Sequence, residues 1–205
     1  NATKLSFKTG ASETAAEKMS LSSGGNLTLP TDSIAINFGV NSEITLTHVH
    51  NEGLALKHTA TDDDKPIILT LQTGETDIQA DDVIGAINFQ APDEATDGDS
   101  RLVCAGIAAV SEGDFADNNN ATKLSFKTGA SEAAAEKMSL SSGGDLTLPT
   151  DGAVLKFGEN GEVTLTHVHN TGLLLSDDSG VGTTKLMFGD AACFIQQQAD
   201  GELGI

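Results

Sequence analysis

A chain of 205 residues could supply one or two ordinary domains, but eight Phe, no Trp, no Tyr and 22 Gly leave it short of the bulky side chains on which a compact independent core rests. Its formal charge of −19 makes nucleic acid and anionic membrane surfaces unfavourable partners. No apolar run approaches the roughly 18 residues of a membrane-spanning helix, and no secretory leader is visible.

Strand signals follow one another along the chain. Leu5 and Phe7 alternate with Lys4, Ser6 and Lys8, the period of a half-buried strand. Ala11–Lys18 is helix-like but only about two turns long, too short to be stable alone. It is expected to be a loop with one helical turn, joining the first strand to a second at Met19–Leu21. Turn residues follow at Ser23-Gly24-Gly25-Asn26 and Pro30-Thr31-Asp32. Ile34, Ile36 and Phe38 then alternate, and Ile44, Leu46, His48 and His50 share one face of the next extended segment. Val83, Gly85, Ile87 and Phe89 are expected on one face of a strand, and Val103, Ala105, Ile107 and Ala109 on one face of another. Turn residues recur at Asp97-Gly98-Asp99 and at Asp177-Asp178-Ser179-Gly180.

Residues 1–56 then return as 120–175 with only 12 of the 56 positions changed. A self-match of this size marks an array built by duplicating a module. The modules run 1–58 (first copy), 59–119 (an intervening β segment), 120–176 (second copy, with Ala153, Leu155 and Phe157 alternating as before) and 177–205 (the start of a further β module). No flexible linker separates them, so one continuous rod is expected rather than beads on a string. A start at Asn1 inside a repeat suggests a segment of a longer protein. The apolar strips are each too small to stand alone, and pooling them between copies of the chain is the natural remedy. Cys104 and Cys193 lack paired spacing and are expected to be reduced thiols.

Several runs together carry a resemblance: Ile84-Gly85-Ala86-Ile87-Asn88-Phe89, Ala105-Gly106-Ile107-Ala108-Ala109, Leu124-Ser125-Phe126-Lys127-Thr128, Glu136-Lys137-Met138-Ser139-Leu140 and Gly143-Gly144-Asp145-Leu146-Thr147-Leu148. In this order they resemble a module of tailed-bacteriophage fibres, with Asp145-Leu146 where that module usually has Asn-Val. Lys185-Leu186-Met187-Phe188-Gly189-Asp190, with Ile195 and Asp200-Gly201-Glu202-Leu203, is similar to another piece of such fibres, especially those of marine phages. The resemblance implies an all-β, elongated homotrimeric fibre shaft of short repeated strands, in a β-prism or intertwined packing. Composition alone supports only a β-rich and oligomeric chain.

The sharpest local feature is His48-Val49-His50, duplicated as His167-Val168-His169. The histidines continue rows that otherwise read as buried, and a buried imidazole needs partners. In a parallel trimer, three such pairs meeting on the axis would offer six imidazole nitrogens to a first-row divalent metal. The resemblance implies iron, because some phage fibres hold it through such pairs. Ligand type alone leaves Fe, Zn, Ni or Co open, and the other reading is polar histidines that bond neighbouring chains without metal. Asp62-Asp63-Asp64, and Asp93-Glu94 with Asp97-Gly98-Asp99, could attract calcium, yet neither follows a calcium-loop spacing and both read as solvated turns.

No nucleophile elbow, Cys–His neighbour or aromatic sugar platform accompanies the abundant acids, so no enzyme is expected. The resemblance implies a structural role in the virion: a rigid trimeric shaft that spaces or supports a host-recognition tip, assembled in the host cytoplasm. Its partners would be two further copies of itself, other virion tail proteins and the host cell surface. Phe7, Phe38, Phe89, Phe126, Phe157 and Phe188 are expected in the trimer core. A receptor-binding or capsid-decoration module, or a bacterial adhesin stalk, is the alternative.

Overall fold

The computed structural model describes residues 1–91, 98–177, 184–199 and 202–204. The protein is all-β, and the one helical element among the described residues is a 3-10 turn at Asp99–Arg101. The chain divides into two compact units, Asn1–Thr70 and Leu71–Ile205.

The first unit holds two antiparallel sheets. One is β1 (Lys4–Thr9), β2 (Ala16–Ser22) and β3 (Leu27–Thr28); the other is β4 (Ala35–Phe38), β5 (Ile44–Val49) and β6 (Gly53–His58). The second unit opens with a five-stranded sheet of β7 (Val83–Gln90), β8 (Val103–Ser111), β9 (Thr122–Thr128), β10 (Ala135–Leu140) and β11 (Leu146–Thr147). Two more three-stranded sheets follow: β12 (Val154–Phe157), β13 (Val163–Val168) and β14 (Gly172–Asp177), then β15 (Lys185–Phe188), β16 (Asp190–Ala199) and β17 (Glu202–Gly204). Among the described residues every hydrogen-bonded strand pair joins strands consecutive in the chain, so each sheet is a meander. The duplication shows in the registers. Leu5 faces Leu21 as Leu124 faces Leu140, and Phe7 faces Met19 as Phe126 faces Met138.

Two sequence expectations need correction. The stretch Ala11–Lys18 contains no helical turn: residues 10–15 form the loop, and Ala16, Glu17 and Lys18 already belong to β2. Cross-strand bonds draw Glu17 into the strand. Its carboxylate meets Lys4 Nζ at 2.7 Å and accepts from Ser6 Oγ at 2.6 Å. A helix of two turns has nothing to set against them. A register shift between Phe7 and Lys8 absorbs the odd residue. The second correction concerns β7 and β8. A bulge places Val83 opposite Val110 while Gly85 faces Ala109, and another places Val103 opposite Gln90 while Ala105 faces Phe89. Val83 and Val103 therefore leave their predicted rows for the other side of the sheet.

That other side is the covered one at β8, β9 and β10, while at β7 it stays open, with Val83 49% exposed. Ser125 is 0% exposed and Ser139, its cross-strand neighbour, 7%. Ala108 and Val110 are the only buried hydrophobic side chains among the described residues. Lys123 and Glu136, ion-paired at 3.1 Å, share this side with Ser125, and the long Lys stem shields the small residues beside it. In the first copy the buried residue is Ser20. The apolar side lies open. Ile87, Ile107, Phe126 and Met138 form one row across four strands, and Leu124, Leu140 and Leu146 form the next. Of these, Ile87, Ile107, Leu124, Leu140 and Leu146 are exposed. Serine, alanine and Val110 pack inside the single chain, while most of the large side chains on the opposite face are exposed.

Candidate functional site

Large apolar side chains stand exposed on several sheets. Phe7, Phe38, Phe89, Phe157 and Phe188 are between 47% and 54% exposed, and Phe126 is only partly covered. None of the six phenylalanines expected in a shared core is interior to its own chain. In the five-stranded sheet Leu71 lies against Gly85, where an added Cβ would stand 3.1 Å from Leu71 Cβ. There it borders an open apolar depression of about 180 Å³ that Ile87 and Ile107 also line. A larger one, about 300 Å³, is lined by Leu146, Leu155, Leu165, Leu173 and His167.

The two histidine pairs sit at equivalent places in the duplicated three-stranded sheets. His48 is in β5, opposite Leu54 of β6, and its N–H donates to Ile34 O at 2.9 Å. His50 lies just past the end of β5, in the turn before β6. The rings come together as the shared-face reading expected, with centroids 6.4 Å apart in both copies and an edge-on disposition. The row is not buried in the single chain, however. The side chains of His48 and His50 are 40% and 62% exposed.

Sequence reasoning missed the carboxylate between them. Asp32 Oδ1 stands 3.7 Å from His48 Nδ1 and 3.3 Å from His50 Nδ1. In the second copy Asp151 stands 3.6 Å from His167 Nδ1 and 3.0 Å from His169 Nδ1. A tight turn aims each acid: Ile34 N–H closes onto Thr31 O, and Ala153 N–H onto Thr150 O. The available signal was the repetition of Pro-Thr-Asp ahead of His-Val-His at one spacing in both copies. The donor set suits a divalent metal in one respect. A carboxylate beside Nδ1 orients an imidazole and leaves Nε2 for a metal; in the second copy, however, His169 Nε2 is hydrogen-bonded to Asn170 Nδ2 at 2.8 Å. Among the described residues no three His, Cys, Asp or Glu side chains of this chain converge to hold a metal ion.

The remaining polar groups do structural work. Ser111 Oγ accepts from Asp82 N–H at 3.0 Å and donates to Gln79 O, fixing the turn that leads into β7. Glu17 is held well below its ordinary 4.5, at about 2, by Lys4, Ser6 and Ser20. Burial pushes the Glu136 carboxyl up, but Ser125, Lys123 and Ser139 outweigh it and leave it below the usual carboxylate range. Neither Cys104 nor Cys193 forms a disulfide. Asp62, Asp63 and Asp64 lie on an exposed bend, whereas Asp93, Glu94 and Asp97 fall outside the described residues, as do Asp178–Gly180 of the expected turn. No helix among the described residues is long and apolar enough to cross a membrane.

Comparison with protein-family models, with curated proteins and with solved structures returned no match.

Proposed function

We propose that this chain is a structural component of a virion tail fibre, forming with two other copies a rigid trimeric β shaft. One observation carries the reading: the sheets β1–β3 and β7–β11 bury serines against their own chain and leave rows of large apolar side chains exposed. Contiguous exposed apolar surface of this kind marks a surface that another polypeptide covers. In the shaft, faces bearing Phe7, Phe38, Phe89, Phe126, Phe157 and Phe188 meet those of neighbouring chains, and the protein's work is spacing and load transmission rather than catalysis. The number three and the virion setting come from the resemblance to phage fibres. Other virion tail proteins and the host surface are the outer partners.

The histidine pairs fit the same scheme. His48 and His50, and His167 and His169, would hold a first-row divalent metal such as iron through Nε2, with Asp32 and Asp151 behind them; at His169 the metal would displace Asn170 Nδ2, which bonds Nε2 at 2.8 Å. Bound there, the metal would clamp the relative register of the chains.

The test is sedimentation of the intact protein and of Phe89→Asp. The wild-type mass should be three times the 21.0 kDa of one chain, and the variant should sediment as monomer because a carboxylate at a shared core is left unpaired. A well-folded wild-type monomer in dilute solution overturns the proposal.

A further inference from the structure

The duplicated block contains one strand twice, and its two occurrences differ in what sits beside them. β9 is bonded on both edges, to β10 and to β8. β1, with the same sequence, is bonded only to β2. The contacts that seat β8 on β9 are extensive. The antiparallel register runs from Ala105 opposite Thr128 to Ser111 opposite Thr122. Gly129 N–H donates to Cys104 O at 3.0 Å, Ala134 N–H to Val103 O at 2.9 Å and Glu112 N–H to Ala121 O at 2.9 Å. Ser142 N–H donates to the Glu112 carboxylate at 3.0 Å.

Each group on the β9 side has an identical counterpart beside β1: Gly10 for Gly129, Ala15 for Ala134, Ala2 for Ala121 and Ser23 for Ser142. Charge does not close the edge of β1. Lys4 and Lys8 occupy the places of Lys123 and Lys127, and those lysines admit β8. Exposure records the difference. Ser125 is 0% exposed and Phe126 partly covered, whereas Ser6 is only partly covered and Phe7 is 47% exposed.

We propose that the free edge of β1 is a strand-acceptor site whose occupant is a further hairpin with the sequence of β7 and β8. It seats antiparallel in the register β8 takes on β9. Residues equivalent to Ala105, Ile107, Ala108, Ala109 and Ser111 stand opposite Thr9, Phe7, Ser6, Leu5 and Thr3. The backbone supplies affinity, as in any strand addition to a sheet edge. Side chains set the register. Small residues at the Gly106 and Ala108 positions leave room for the Lys8 and Ser6 side chains, and Ile at position 107 extends the apolar row through Phe7. A slip of one residue would put that Ile on the polar side. The inference does not depend on how many chains assemble, because the acceptor and its paired twin are read within one chain.

The experiment uses the full chain preceded by a second copy of residues 59–119. The added hairpin then stands before Asn1 as residues 59–119 stand before Asn120. Amide hydrogen exchange is read at the β1 amides that face away from β2, with sedimentation run on the same samples. Docking should slow those amides about 100-fold or more, to the level of their counterparts in β9. Ala108→Pro made in the added copy alone removes a ladder donor and should restore fast exchange. The proposal is overturned if the extended chain exchanges at β1 like the unextended one, or if the Pro variant stays protected. Slow exchange already present in the unextended chain overturns it too, since a neighbouring chain would then hold the edge.

Discussion

Strands β1 and β9 have one sequence and two environments. In β9 the serine at the centre of the polar side is sealed from water; in β1 the same serine is half covered. Nothing in the strand itself accounts for this, since Thr3–Thr9 and Thr122–Thr128 are identical. The difference is the strand alongside. At this strand burial is a property of position in the array, since Ser125 gains its cover from β8, whereas Ser20 and Ser139, flanked by strands of their own repeat, are 6% and 7% exposed alike.

The largest expected break in the comparison comes from filling that sealed position. Ser125→Leu forces a bulky side chain against Ala108 and Ser139 and should cost about 2–3 kcal/mol. Ser6→Leu in the first copy loses one hydrogen bond at a half-open site and should cost about 1 kcal/mol. Denaturation followed by residue-resolved hydrogen exchange would show whether the two costs differ; equal losses would contradict the neighbour argument.

Acid should separate the copies next. Glu17 has a pKa depressed from 4.5 to about 2 by Lys4, Ser6 and Ser20. A depressed carboxylate stabilises the fold above its unfolded pKa and loses that contribution as pH falls through its folded value. The β1–β2 hairpin should therefore weaken between about pH 4.5 and pH 2. Glu17→Gln should flatten this dependence, as read from exchange at β1 and β2 during an acid titration. At Glu136 burial opposes the hydrogen bonds, so the matching Glu136→Gln change should alter the acid profile less.

The smallest effect concerns two turns. Ser33 and Ser42 have φ of 59° and 55°, and glycines replace them in the second copy as Gly152 and Gly161, at 72° and 70°. A side chain in left-handed backbone is strained, while glycine adds entropy to the unfolded chain, and the two terms partly cancel. Ser33→Gly should raise the thermal midpoint slightly, by the equivalent of about 0.5 kcal/mol. Gly152→Ser should lower it by a similar amount.

Much of the fold was legible because strand alternation is local. The rows Leu5–Phe7, Ile36–Phe38 and Ile87–Phe89 follow directly from the period of two. Three things were not. The Ala11–Lys18 stretch favours helix when read alone, and cross-strand bonds to Glu17 decide otherwise. The bulges that move Val83 and Val103 leave no mark in an alternation pattern. The third is the covered side: apolar alternation says which residues share a face, but not whether that face has anything to lie against. At the histidine pairs, the shared face was readable from spacing. Asp32 and Asp151 were not assigned, because their contact depends on a turn that folds an acid back across a strand.

Because each described strand bonds only to the one before it and the one after it in the chain, every such hairpin can pair its backbone as soon as its second arm leaves the ribosome. Strand pairing waits for no distant segment of the chain, so the conformational search within a chain does not lengthen as modules are added; in the proposed shaft, only the covering of the apolar faces waits for other chains. Growth by duplication is therefore kinetically cheap here. A longer gene would make a longer protein at nearly the same folding speed per module.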